Sequence, residues 1–400
     1  MSLRSFCFQE IFIAYYNIHA SDSSLTHMKK LIRITVKSLK IAFALLLLLI
    51  ITILVYMRHP LFGERPTGKR LGLIKQSPHY KDGQFQNIHN TPQLSEGYSM
   101  GGVLYDFMFK KRLRLRPVDS LPSVKSDLLT VAPDRDVLVW FGHSSYFIQS
   151  GGKRFLVDPV FSGSASPLPG GTKAFKGADI YTTDDFPVID YLFISHDHYD
   201  HLDYKTMLAL KSKVGKVICG LGVGAHLERW GYKPEQIIET DWWQDVDLGD
   251  GFVVHTAPTR HFSGRSFFRN NTLWQSYILQ TPAMKIYIGG DSGYDTHFAE
   301  IGEKFGPIDF AILENGQYDL AWKYIHMQPE EVLQAAKDLQ AKRLLPVHSS
   351  KFTLGNHPWD EPLQRLTAIA DIPLATPMIG EIVDLRNDKQ IFKDWWKGVN

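Results

Sequence analysis

The sequence predicts an α/β fold, with sheets inside and helices outside, carried behind a single N-terminal transmembrane helix. Three observations lead there. An uncharged apolar run, Ile41 to Met57, precedes everything with globular character. From Asp136 onward, short runs rich in β-branched and aromatic residues come first in succession and then alternate with helical patterns, the order expected of layered sheets flanked by helices. A composition of 44% hydrophobic and 22% charged residues over 400 positions supplies a sizeable core and excludes a disordered or collagen-like chain.

The apolar run reads IAFALLLLLIITILVYM, with Thr52 its only clearly polar member. At about 1.5 Å rise per residue it is near the shortest length that crosses a bilayer core. No small-x-small cleavage pattern follows at Tyr56 to Pro60, so residues 41–57 read as an uncleaved signal-anchor. Lys29, Lys30, Arg33, Lys37 and Lys40 precede it without an acid among them; Arg58, Arg65, Lys69 and Arg70 follow, countered by Glu64. The positive-inside rule then places the N-terminus in the cytoplasm and the large C-terminal part outside, which in a bacterium means the inner membrane. Residues 1–40 form an extension and basic flank. Met28-Lys29-Lys30 resembles a second start, which makes residues 1–27 an upstream extension.

Forty-four basic and 42 acidic residues nearly cancel, and seven of the basic against two of the acidic fall before residue 61. The excess positive charge therefore belongs to the anchor, and no broad field for nucleic acid remains. Two cysteines, Cys7 and Cys219, exclude a disulfide framework or a Cys-rich zinc module, and Cys219 reads as a small core residue.

Residues 58–135 form a Gly- and Pro-rich strap with one helical piece, in which Val103, Leu104, Phe107 and Met108 run into Lys110, Lys111, Arg112, Arg114 and Arg116. That piece reads first as a solvated basic face, with a membrane-surface element as the alternative. Residues 136–400 are expected to form one globular domain. Strands are expected at Val137–Phe141, Ser145–Gln149, Arg154–Val157, Ile189–Ser195, Lys216–Cys219, Phe252–Ala257, Leu273–Gln280, Lys285–Gly289, Ile308–Leu313 and Arg343–Pro346. Helices are expected at Tyr204–Lys213, Ala225–Trp230, Pro329–Gln340 and Pro362–Ala370; the third opens with Pro329 and carries Glu330 and Glu331 in its first turn, where they complement the helix dipole. Trp242-Trp243 and Trp395-Trp396 read as core or edge packing.

The chemistry-bearing motif is His196-Asp197-His198-Tyr199-Asp200-His201, at the C-terminal end of a buried strand. In extended backbone His196 and His198 project to one side and can share a metal ion, and a turn can bring Asp200 and His201 to a second. Single donors stand at the ends of later strands: His261 in TAPTRH, Asp291 in IGGDSG and His348 in LLPVHSS. Together they make five histidines and two aspartates, a full donor set for two ions. Imidazole with some carboxylate and no thiolate favours two Zn²⁺ per chain, with Fe or Mn as alternatives.

This set and its order resemble the metallo-β-lactamase-fold hydrolases over about Asp136 to Leu385. The resemblance implies an αββα sandwich with metals at one edge, the first held by His196, His198 and His261, the second by Asp200, His201 and His348, and Asp291 bridging. Within that superfamily, Trp140-Phe141-Gly142-His143-Ser144-Ser145, the Gly289–Tyr294 turn, Tyr324-Ile325-His326-Met327-Gln328-Pro329-Glu330-Glu331 and the lead-in Lys81-Asp82-Gly83-Gln84-Phe85-Gln86-Asn87 are similar to the N-acylphosphatidylethanolamine-hydrolysing phospholipase D group. The chain departs at Ile325, where better-known members carry glutamine, and at Ser349-Ser350-Lys351, which replaces a bulkier Trp-Gly-Thr; both departures are expected near the substrate pocket.

The expected function is a membrane-anchored dinuclear zinc phosphodiesterase of phospholipase D type, acting on a membrane phospholipid through a hydroxide shared by the two ions. Asp200 or Asp291 would orient the nucleophile and accept its proton, and His326 would hydrogen-bond a phosphate oxygen. His143 is expected to pack behind the site. A lactonase or thioesterase acting on a soluble substrate is the alternative reaction, and a catalytically idle membrane-binding protein would not need so complete a donor set. The oligomeric state is left open.

Overall fold

A computed structural model describes the backbone of residues 4–400 and the side chains from Asp22 onward. Cys7 and most of the 1–27 extension lie outside the described side chains. The chain forms two compact units, Met1–His59 and Pro60–Asn400. The first is one helix, α1 (Arg4–Tyr56). Its portion Asp22–Tyr56, 35 residues, is long and apolar enough to cross a membrane. At 1.5 Å per residue that is about 50 Å, so the apolar end alone has to match the hydrocarbon layer. Thr52 donates its hydroxyl to the Leu48 carbonyl at 2.8 Å, which satisfies the one polar side chain of the apolar run within the helix. The helix stops at Tyr56, one residue short of the expected Met57.

The second unit opens with the strap: α2 (Gly68–Ile74), the hairpin β1 (Tyr80–Lys81) and β2 (Gln84–Phe85), and α3 (Met100–Phe109). Then come β3 (Val137–Trp140), β4 (Tyr146–Ser150), β5 (Lys153–Val157), β6 (Ile189–Ile194), α4 (Tyr204–Leu210), β7 (Val214–Gly220), α5 (Gly224–Arg229), β8 (Ile237–Thr240) and β9 (Asp245–Gly249). After these follow β10 (Phe252–Ala257), β11 (Ser276–Gln280), β12 (Lys285–Ile288), α6 (His297–Phe305), β13 (Phe310–Glu314), α7 (Pro329–Asp338), β14 (Leu344–Val347), α8 (Glu361–Ile369) and β15 (Ile382–Asp384).

The strands form a seven-stranded sheet, β15-β3-β4-β5-β6-β7-β8, and a six-stranded sheet, β14-β13-β12-β11-β10-β9. Pairing is parallel from β5 to β8 and from β12 to β14, and antiparallel elsewhere. Strand alternation sorts the apolar side chains into three layers. Between the sheets lie Phe155, Val157, Phe193 and Ile218 of the first against Val254, Tyr277, Leu279 and Ile312 of the second. On the outer face of the first sheet, Leu156, Leu192 and Ile194 meet Met207 and Leu210 of α4 and Leu227 of α5. On the outer face of the second, Ile278, Tyr287 and Leu313 meet Phe298 of α6, Val332 of α7 and Leu366 of α8. This is the αββα sandwich.

Departures from expectation have local causes. The strand expected from Leu273 begins only at Ser276, because Leu273 N–H and Gln275 N–H bond to the Leu221 and Ser195 carbonyls at 2.8 and 3.0 Å. Helix α6 contains Gly302, a residue that weakens helix patterns. A Cβ there would lie 1.8 Å from the Asp338 carbonyl, so only glycine lets α6 approach α7 this closely. Cys219 is fully buried, and Trp242, Trp395 and Trp396 are core residues.

Phe155 stacks on Phe193, ring centres 5.9 Å apart, and faces Phe252 of the opposite sheet at 6.1 Å. Phe155→Ala is expected to cost about 3–5 kcal/mol in urea unfolding of the full chain in detergent, followed by tryptophan fluorescence.

Candidate metal centre

Every proposed donor stands just past a strand's C-terminal end on one edge of the sandwich. Strand β6 leads into Ser195 and His196, β10 into His261, β12 into Asp291 and β14 into His348. Two glycines make room. A Cβ on Gly290 would lie 2.7 Å from Ser195 Cβ, and one on Gly293 would lie 2.0 Å from the Tyr324 carbonyl oxygen. His143, Asp158 and His348, none of them glycine, have φ of +54°, +41° and +66°, a left-handed strain concentrated around this edge.

The donor atoms fall into groups whose members lie within 4.8 Å of one another: His196 with His198 and His261; His143 with Asp200, His201 and His348; and His196 with His201 and Asp291. His198 Nδ1 is 2.9 Å from His196 Nε2 and 3.3 Å from His261 Nε2. Asp291 Oδ2 lies between the sets, 3.2 Å from the Nε2 atoms of His201 and His348 and 3.8 Å from those of His196 and His261. Asp200 Oδ2 is 3.5 Å from both His201 Nε2 and His348 Nε2. The seven residues singled out from the sequence are thus brought together in one cluster, all buried but for the half-buried His198.

A surrounding layer aims these donors. Asp158 accepts from Ser195 N–H at 2.8 Å, Ser195 Oγ at 2.6 Å and His201 Nδ1 at 2.8 Å, which turns His201 Nε2 toward the cluster. His261 Nδ1 bonds the Ile325 carbonyl at 3.1 Å, with the same effect on its Nε2. Asn87 of the strap clamps His261 from outside: its amide donates to the His261 carbonyl at 2.8 Å and its oxygen accepts the His261 N–H at 3.1 Å. Asp197 points away from the cluster, to His226 Nε2 at 3.1 Å, Thr272 Oγ1 at 3.0 Å and Gly264 N–H at 2.6 Å, tying the His196–His201 turn to the loop that carries His261. Glu314, at the end of β13, accepts from His326 Nδ1 at 2.6 Å and Met327 N–H at 2.8 Å, and lies 3.3 Å from His348 Nδ1.

Sequence reading missed Asp158, Asp197 and Glu314. A lone acid beside a strand end carries no pattern, although in Glu314-Asn315-Gly316 an acid closing an apolar strand was the available signal. His143 packs behind the site, its Nε2 2.8 Å from Asp200 Oδ2. Ile325 borders the cavity, as expected. Ser349, Ser350 and Lys351 do not line it themselves but directly follow His348, which does. Left-handed φ at His348 and Ser350 turns the segment inward, and Lys351 donates to the Phe141 and Val160 carbonyls at 3.3 and 2.8 Å beneath the site.

Electrostatics suit a cation. Burial holds the imidazoles of His196 and His261 well below the usual histidine range, and lowers those of His198 and, to about 3, His143. Burial also opposes ionisation of Asp200 and Asp291, yet the surrounding histidines, His201 first, hold both carboxyls well below their usual range. Against burial, Asp291 and its neighbours raise His201 strongly and His348 to about 10. His201 Nε2, despite lying 3.2 Å from Asp291 Oδ2, and Asp291 Oδ1 are buried without a well-aligned hydrogen bond, a costly arrangement that coordination would satisfy. For tetrahedral Zn–N bonds of 2.0–2.1 Å the donor atoms stand roughly 3.3 Å apart, close to the spacing of the first set. The residues fit divalent metal.

A cavity of about 320 Å³ opens above the cluster. Its floor is His198, Asp200, Asp291, His326 and His348; its wall is mainly apolar, with Leu94, Met100 and Val103 of the strap, Phe262, Trp322 and Leu354, beside Gln93 and Gln317.

A β-lactamase superfamily domain matches residues 153–349. An uncharacterized protein of Mycobacterium tuberculosis is 36% identical over 331 residues, 81% of this chain and 88% of that protein. The chain belongs to the metallo-β-lactamase superfamily. Proteins of this fold bind divalent metal, typically two ions, and the chain is a metal-dependent hydrolase of that superfamily. Among its relatives is N-acyl-phosphatidylethanolamine-hydrolyzing phospholipase D 1 of Caenorhabditis elegans, 27% identical over 66% of this chain and 81% of that protein. Over 26% of the chain and 80% of the relative, it is 57% identical to outer membrane protein RomA of Klebsiella pneumoniae. The solved isothiocyanate hydrolase from Delia radicum gut bacteria superposes with a TM-score of 0.51 at 17% identity, over 62% of this chain and 98% of that one, and so shares the superfamily fold.

Asp158→Asn should weaken metal retention by about 10- to 100-fold through the lost orientation of His201, measured by chelator competition with elemental analysis on the folded protein.

Proposed function

We propose that the protein is a membrane-anchored phosphodiesterase of phospholipase D type that cleaves N-acyl phosphatidylethanolamine-like lipids, with two zinc ions as its resident metals. One observation carries this reading: the cavity joins a floor of imidazole and carboxylate to a mainly apolar wall, the two halves of an amphiphile with a phosphodiester at its centre. Likeness to the phospholipase D group, and a helix able to hold the chain at a bilayer, support it.

His196, His198 and His261 would hold one ion, Asp200, His201 and His348 the other, with Asp291 touching both. Two divalent ions supply charge stabilisation at the phosphoryl oxygens and lower the pKa of water. Asp200, fixed through Oδ2 by His143, orients the attacking water and accepts its proton. Glu314 holds His326 by Nδ1, which leaves Nε2 to hydrogen-bond a phosphoryl oxygen or to pass a proton to the leaving alcohol. The P–O bond to the N-acylethanolamine breaks, and phosphatidic acid remains. Apolar Ile325 and Phe262 exclude water from the acyl side. Basic residues ahead of the anchor support a cytoplasmic N-terminus and an extracytoplasmic catalytic unit in the inner membrane.

Incubating the metal-loaded full chain with N-acyl phosphatidylethanolamine should release phosphatidic acid; turnover of lactones or thioesters alone would overturn the reading. Elemental analysis should return two zinc ions per chain. His198→Ala and Asp291→Asn should each abolish hydrolysis while the far-ultraviolet circular dichroism stays unchanged. His326→Ala should lower kcat by about 100-fold or more, and Glu314→Gln should lower it in the same direction by less, measured at saturating substrate.

A further inference from the structure

Helix α3 (Met100–Phe109) is capped by Ser99, whose Oγ accepts the Gly102 N–H at 3.1 Å, so it is a defined helix. It is also a poor one for water. Met100, Leu104, Tyr105, Phe107, Met108 and Phe109 each leave 54 to 74% of their surface exposed, and Leu113 beyond them leaves 69%. Only Val103 and Asp106 of the helix are half-buried. A solvated basic face on a packed helix would show lysine and arginine outward with the apolar residues beneath; Lys110, Lys111, Arg114 and Arg116 are indeed exposed, but the apolar residues are exposed with them. Patches of this kind on soluble chains mark interaction surfaces.

The charges behind the helix indicate what covers it. Lys110 pairs with Asp106 at 3.2 Å, Arg114 pairs with Asp360, and Arg116 donates to the Lys173 carbonyl. Lys111 and Arg112 make no ion pair among the described residues. Exposed aromatic and aliphatic side chains followed by unpaired cations suit the interface of an anionic bilayer, where the rings enter the acyl boundary and the cations stay at the headgroups. Protein interfaces, in contrast, deplete lysine from their cores. The same helix walls the cavity through Met100 and Val103. Leu320, whose carbonyl accepts from Ser95 just ahead of α3, is also exposed, at 61%.

We propose that α3 and the basic run after it form an interfacial element that lies in the headgroup region of an anionic bilayer and sets the mouth of the metal cavity against it, so that lipid enters along the α3 wall. This deepens the phospholipid reading and rests on it for the substrate, but not for the docking.

Because α1 can hold the chain to a vesicle by itself, the test must report on α3. The full chain, with Cys7→Ser and Phe107→Cys, is labelled with an environment-sensitive fluorophore and reconstituted into vesicles containing phosphatidylglycerol and bromine-substituted acyl chains. Cys219 is buried and remains unlabelled. A matching label at Val188, exposed and preceding β6 at the end remote from His196, serves as the reference. Bromine should quench the 107 label at least twofold and leave the 188 label unchanged. Equal quenching at both sites, or a blue shift at 107 without bromine quenching, as a second copy of the chain would cause, overturns the proposal. In parallel, Phe107→Asp with Phe109→Asp should raise the KM for vesicle-embedded phospholipid at least tenfold while kcat/KM on a soluble aryl phosphodiester stays unchanged; an equal loss on both substrates overturns it. Quenching at 107 without phospholipid hydrolysis would leave the docking standing and remove the substrate reading. Hydrolysis without quenching would do the opposite.

Discussion

The structure depends on one electrostatic constraint: Asp158, Asp200, Asp291 and Glu314 are buried within reach of one another's histidines at one edge of the sandwich. Carboxylates removed from water are tolerated only where hydrogen bonds and positive charge surround them. That requirement explains why imidazoles from several strand ends converge. It also explains why each donor is held by a second contact: Asp158 for His201, the Ile325 carbonyl for His261, His143 for Asp200. The left-handed backbone at His143, Asp158 and His348 is the conformational cost of bringing those groups to one point.

The strap extends the same logic outward. Arg70 pairs with Glu239 at 2.6 Å and Glu228 at 2.8 Å, Glu64 N–H donates to His226 Nδ1 at 2.8 Å, and Asn87 holds both backbone groups of His261. Through His226 and Asp197 the strap reaches the turn that carries His196 and His198. Residues that looked like a connector on composition are therefore part of the site's support, and some of them are its wall.

What was legible in the sequence follows from what leaves a periodic or clustered trace. Buried strands such as Ile189–Ile194 and Phe310–Glu314 are apolar on both faces and stand out, and the closely spaced histidines of residues 196–201 announce themselves. Strand β9, Asp-Val-Asp-Leu-Gly, is an edge strand with one buried residue, so it carries too little apolar signal to be read. Strand β15 has three residues, and its existence depends on pairing with β3 more than 240 positions earlier. Asp158, Asp197 and Glu314 acquire their roles only from partners far away in sequence. Around α3 the sequence left two readings open, because an apolar stripe followed by lysines describes equally a helix packed on a body and one with its apolar face exposed; the exposed Leu104, Phe107 and Phe109 separate the two.

The pairing of β4 with β5 carries a practical consequence. The superfamily domain begins at residue 153, inside the chain's own second unit, which starts at Pro60. A chain shortened to the matched stretch would lose β3, β4 and β15, and with them His143 and Asn87. Strand β5, with Phe155 and Leu156 fully buried on its two faces, would become a raw sheet edge ready to pair with any neighbouring molecule. Chimeras and fusion junctions therefore belong before Pro60, where they leave both sheets whole.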